Sequence, residues 1–359
     1  MTKSRILLSA VTAGILCSVS LADSGIKYEK TGNSWGACPE GGCIDTNKEN
    51  AGEYSKEVGK TATGGEVVID KSHTGKIYGG FGEKDIKAEG NEVTIKGVEV
   101  GEVYGGLGPA GANGNTVTID GGTTGHTFGG TSDADANGNS IIIKNGATAK
   151  NWVYGGRTGG GNANENTVYV SGGAKVNGTG ARLAGGQVNK GSGSANDNNV
   201  TISGEGTIVS NSEVMGAWVN GNKGTANDNN VTIEKGAEVT SPNIYGGTSN
   251  GEAANGNRVI IDSAKVTSNI FGGDSKDSGS GGVSDNNVTI RGTAEVGGDI
   301  YGGRGKGSAG GNEVNIEDTA KITKEGAKII GGEIIGDKTG AADGNKVNIG
   351  KDADSQAIG

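Results

Sequence analysis

A five-residue string, Asn-x-Val-x-Ile, recurs along most of this chain and limits what the chain can fold into. Copies or close variants begin at Asn91, Asn115, Asn139, Asn166, Asn198, Asn229, Asn257, Asn286, Asn312 and Asn345, at spacings of 24, 24, 27, 32, 31, 28, 29, 26 and 33 residues. A degenerate copy, Gly65 to Ile69, lies 26 residues ahead of Asn91. Between the copies runs a second signature, an apolar residue and an aromatic followed by Gly-Gly. It reads IYGG at Ile77, VYGG at Val103, TFGG at Thr127, VYGG at Val153, IYGG at Ile244, IFGG at Ile270 and IYGG at Ile300, with variants at Leu183, Val214 and Ile329. The first glycines, Gly79 to Gly331, span 252 residues in nine steps, a mean period of 28. Self-similarity at such a period belongs to stacked-repeat architectures.

Strand side chains alternate, so residues two apart share a face. Val93, Val117, Ile141, Val168, Val200, Val231, Val259, Val288, Val314 and Val347 form one ladder, and the residues two further on, from Ile95 to Ile349, form another. All are β-branched, the shape that suits a pleated surface. Between them the outward position varies: Thr94, Thr118, Ile142, Tyr169, Thr201, Thr232, Ile260, Thr289, Asn315 and Asn348. One 28-residue unit cannot bury such a strand alone, whereas stacking buries the ladders in a continuous core. The expectation is an all-β, right-handed parallel β-solenoid (β-helix) of about eleven coils across residues 61 to 359, on the order of 50 Å long. Gly-Gly marks a corner where a side chain would clash or positive φ is needed. A third short strand, as at Ala174 to Val176 or Ala294 to Val296, completes a triangular coil, and the leading Asn bonds coil to coil. The loops before each Asn absorb the insertions, which makes their face a candidate for binding.

Composition fits this reading. With 74 Gly but 3 Pro among 359 residues, the chain is not collagen-like, and regular Val/Ile placement argues against disorder. Residues 1 to 22 carry Lys3 and Arg5, an apolar run from Ile6 to Leu21, and small residues at Ser20 and Ala22, the layout of a secretory signal peptide. Residues 23 to 60 form an N-terminal polar cap region containing Cys38 and Cys43, which export would allow to close a small disulfide. A net charge of −9 without a basic block argues against nucleic acid as a partner.

Glycine abundance generates false motifs. Gly106 to Gly111 and Gly305 to Gly310 match a dinucleotide-binding string, but both sit in the same repeat loop with no helix after them. Ser249 lies in a nucleophile-elbow string without strand-to-helix context. Gly59-Lys60-Thr61 ends like a phosphate loop, yet Tyr54 occupies the place of its leading glycine. Asp133, Asp135, Asp274 and Asp277 read as solvated loop charges and not as calcium ligands, and the two histidines, His73 and His126, make no metal-site spacing. No catalytic residue, cofactor or metal site is expected. The series Tyr78, Tyr104, Phe128, Tyr154, Tyr245, Phe271 and Tyr301 has two readings: a packed stack along one corner, favoured because Ala184, Met215 and Ile330 keep the position apolar, or a binding stripe for sugar rings and partner side chains.

With its NNVTI strands, IYGG corners and loops ending in AND or ANGN, the chain resembles the β-helical passengers of bacterial type V autotransporters over residues 61 to 359. The resemblance implies Sec-dependent export, an outer-membrane barrel in the parent protein, and a non-enzymatic surface role as an adhesin that binds host or bacterial surface proteins or glycans. No barrel-like C-terminal region follows the repeats here. The expected location is therefore the cell surface if the parent carries a barrel, and otherwise the periplasm or the medium. The alternative is an exported β-helix enzyme acting on polysaccharide, which would break the repeat with long loops and an unusual charged cluster. The chain also stops partway round a coil, with Ile358 where the apolar residue before the next aromatic belongs, so the reading frame is expected to continue.

Overall fold

The computed structural model describes residues 26–27, 29–31, 34–36, 50–55, 62–70, 72, 75–82, 85–275, 281–336 and 340–350. The signal segment, Cys38, Cys43, His73, Asp277 and residues 351–359 lie outside the described residues. What is described is a parallel β-solenoid with no helix and three sheets running along it, of twelve, eleven and eight strands.

The Asn-x-Val-x-Ile strands build the twelve-stranded first sheet in uniform register: Val93 pairs with Val117, Val117 with Ile141, and so on to Val314 with Val347. Because strands of equal pattern pair at equal positions, every inward residue stacks on its counterpart, and from Val67 to Ile316 these ladder positions are at most 2% exposed. The aromatic-Gly-Gly strands build the eleven-stranded second sheet. Two-residue and three-residue strands, from Thr123–Thr124 to Lys321–Ile322, make the third. Ladders from all three sheets meet in one apolar core. About nine turns are closed on three sides: the eight strands of the third sheet plus the coil of Glu99, which bridges to Thr123. The difference from eleven arises at the ends, where strands such as Asn50–Ser55 and Lys346–Ile349 extend one sheet and, among the described residues, complete no triangle.

The leading asparagines form an unbroken buried ladder. Each Nδ2 from Asn91 to Asn312 donates to the Oδ1 of the next coil's asparagine at 2.8–3.0 Å, and each backbone N–H donates to the same oxygen. The Gly-Gly pairs pack against this ladder. A Cβ at Gly80 would fall on the Asn91 side chain, and one at Gly79 on the Gly105 carbonyl. Of the two reasons expected for these glycines, close approach is the operative one, since the pairs do not adopt positive φ. Positive φ falls instead on the residue before each ladder Asn, whether glycine (Gly114, 63°) or not (Glu165, 59°).

Candidate functional site

Along the second sheet Val103 and its equivalents point into the main core, so the adjacent aromatic must face the other way. The rings form a separate cluster outside that core. They stack in two runs. Centroids are 4.9 Å apart for Tyr78–Tyr104 and Tyr104–Phe128 and 5.9 Å for Phe128–Tyr154; after a break come Tyr245–Phe271 at 5.0 Å and Phe271–Tyr301 at 4.9 Å. Tyr104 is half-buried and the other six rings are buried. The seven residues singled out in the sequence are thus brought into one line, closed over by their neighbours.

Two rows of side chains do the covering. One precedes the ring position by two residues and includes Glu102, His126, Trp152, Arg182 and Glu213; the other follows the Gly-Gly pair and includes Leu107, Thr131, Arg157, Gln187, Trp218, Thr248, Asp274 and Arg304. Arg304 lies over Phe271 at 4.2 Å from the ring centroid. Where Ala184 breaks the ring stack, Arg182 reaches over the Trp218 ring at 4.0 Å and bonds Glu213 at 3.2 Å. Burial pushes the Tyr154 hydroxyl up to about 12, against the opposing pull of the Arg182 charge. Burial raises Tyr245 as well, with the Asp274 carboxylate adding to it.

Asp274 corrects an expectation. It is no solvated loop charge: it sits on strand Asn269–Ser275, fully buried, and Arg304 Nε donates to its Oδ1 at 3.0 Å. Desolvation works against the Arg304 charge, but the hydrogen bond and charge of Asp274 outweigh it and raise the guanidinium. Ser249 is buried too, its Oγ donating to the Gly224 carbonyl and accepting from the Gly251 N–H. Among the described residues no group of three His, Cys, Asp or Glu converges.

Where the second sheet passes into the loops lies a shallow cavity of about 180 Å³. Leu107 and Pro109 form an apolar wall, and Thr131, Asp133, Arg157 and Asn189 bring polar groups toward it. Arg157 is half-buried, with its guanidinium 5.7 Å from the Phe128 centroid and 6.0 Å from that of Trp152. Its Nε donates to the neutral Gln187 Oε1 at 3.1 Å. Arg182, Arg291 and Arg304 are each paired with a carboxylate, and among the described residues Arg157 is not. Thr131 Oγ1 is buried and has no hydrogen-bond partner among the described residues. Nothing in the repeat pattern pointed to Arg157 or Thr131, because the position after Gly-Gly changes in every coil.

The loop ends, which recur as AND or ANGN in the sequence, hold a second ladder. The N–H of Asn137 donates to Asn113 Oδ1, and the same bond recurs through Asn164, Asn196, Asn227 and Asn255 to Ser284, at 2.8–2.9 Å. The signal was present in the recurring Ala-Asn-x-Asn string, whose alanines are buried. No protein-family profile, curated protein or solved structure matches this chain.

Proposed function

We propose that this chain is an exported surface rod of the autotransporter-passenger kind, working in adhesion and not catalysis, with the outer face of the second sheet as its contact surface. The observation that supports it most is the division between faces. The inward ladders repeat Val and Ile through every coil, while the row after the Gly-Gly pairs changes from Leu107 to Thr131, Arg157, Gln187, Trp218, Thr248, Asp274 and Arg304. A rigid periodic scaffold carrying a non-periodic row is the arrangement by which solenoids present binding surfaces. The signal-peptide layout of residues 1 to 22 supports export.

Expression in a bacterium with an epitope tag, followed by protease shaving of intact cells, tests location. Applying the purified chain to glycan and matrix-protein arrays tests adhesion. Retention in the cytoplasm would overturn the export reading. Release of reducing ends from a polysaccharide would establish the enzyme instead.

A further inference from the structure

We infer that the cavity at Arg157 binds a carboxylate-bearing sugar, a uronic or sialic acid unit of an acidic glycan; this names the ligand class of the surface proposed above and rests on that reading. Three features converge on it. Arg157 is a half-buried guanidinium whose hydrogen-bond partner among the described residues is a neutral amide, so its charge lacks the carboxylate that the chain supplies to Arg182 and Arg304. A guanidinium presents a planar fork of donors that matches a carboxylate in two parallel bonds. Rings on one side, Phe128 and Trp152, hold that fork in place.

The second feature is Thr131, whose side chain lines the cavity and whose buried Oγ1 has no partner among the described residues. A buried hydroxyl left unsatisfied is costly, and rotation of the Thr131 side chain toward the cavity would let a ligand hydroxyl satisfy it. The third is the cavity itself: an apolar wall of Leu107 and Pro109 facing the polar Thr131, Asn189 and Asp133. A sugar ring has that division, with C–H groups on one face and hydroxyls at its edge. Asp133 is exposed, so water screens its repulsion of the ligand carboxylate, and it remains available to accept from a hydroxyl at the far end. A bare inorganic anion would use Arg157 and leave the other groups idle.

The test titrates the full chain with glucuronic acid, its neutral methyl ester and glucose, reading calorimetry and the fluorescence of Trp152, which neighbours the guanidinium. The acid should bind at least about tenfold more tightly than the ester or glucose, the discrimination expected of a charge-assisted fork. Arg157→Gln should lose about tenfold, and Thr131→Val about threefold, in affinity for the acid. Arg182→Gln, outside the cavity lining and already paired with Glu213, should leave it within about twofold. Equal affinity for acid and ester overturns the proposal, as does an Arg157→Gln variant of unchanged affinity. Tighter binding of a short peptide through its C-terminal carboxylate overturns the sugar assignment. Should Arg157→Gln misfold by circular dichroism, the acid-versus-ester comparison and Thr131→Val still decide. Beads coated with the chain, tested on acidic-glycan surfaces, separate the two readings. Adhesion unaffected by Arg157→Gln sinks the site alone, and solution binding without adhesion sinks the adhesive role alone.

Discussion

Ile233 is fully buried in the core ladder, and Thr232, its neighbour in the chain, is half-buried on the opposite face of the same strand. Ile233→Asp places an unpaired carboxylate among apolar side chains and should cost several kcal/mol, roughly, of local stability. Thr232→Asp should cost under about 1 kcal/mol. Equal losses in urea melts would invert the assignment of inside and outside. Asn229 offers a sharper contrast with Asn230. Asn229 Nδ2 donates to Asn257 Oδ1 and the Ala195 carbonyl, both at 3.0 Å, so Asn229→Asp aims a carboxylate at two acceptors in a buried place. Asn230→Asp, half-buried next door, should be mild by comparison, and similar losses would show that the ladder is not stabilising. The inner ladders and their asparagines were readable from the sequence because stacking repeats one requirement in every coil. Arg157, Thr131 and Asp274 were not, because the constraints on them come from neighbours one coil away and 26 to 30 residues off in sequence.

At the scale of the element, the second sheet is a strand surface with two apolar sides, the main core beneath and the aromatic stack above. That explains why the sequence could say that the rings line up but not on which side of the strand core they lie. Alternation places a ring opposite Val103, and the covering rows of Arg, Trp and His then decide its burial. Burial has a consequence at alkaline pH. The Tyr154 hydroxyl ionises near 12 in the folded chain and near 10 when unfolded, so the neutral form favours folding. A raised folded value means a stabilising contribution fully present below pH 10 and lost as pH rises through about 12. The loss is on the order of 2 to 3 kcal/mol for this ring. Stability against urea should therefore fall across that window, and Tyr154→Phe should flatten the fall. A wild-type profile that is already flat would mean that the ring meets solvent. The loops belong to this scale as well: their lengths differ, yet their recurring AND and ANGN endings close on a fixed Ala-Asn-x-Asn corner, and only their middles absorb insertions.

Across the whole molecule, stability is close to a sum of coil-on-coil contacts, since nearly all contacts join adjacent coils, the exposed Lys150–Glu99 ion pair across one coil being an exception. An interior strand such as Asn230–Glu234 pairs on both edges, with Asn199–Ser203 and Arg258–Asp262. Lys346–Ile349 pairs, among the described residues, only with Glu313–Ile316. The burial reflects it: Val314 and Ile316 are 0% and 2% exposed, whereas Val347 and Ile349, in the same ladder, are 41% and 39% exposed. A coil with one interface opens more readily than a coil with two. Native-state hydrogen exchange should therefore show protection rising from the amides of Lys346–Ile349 toward those of Asn230–Glu234. The same one-dimensional coupling predicts how damage spreads. In Ile233→Asp, protection should fall in the strands beside residue 233 and persist in distant ones such as Thr116–Asp120, because the strand of residue 233 pairs with the two strands beside it, Asn199–Ser203 and Arg258–Asp262. Uniform loss of protection along the rod would instead make the solenoid one all-or-none unit, and nearest-neighbour addition would have to be abandoned.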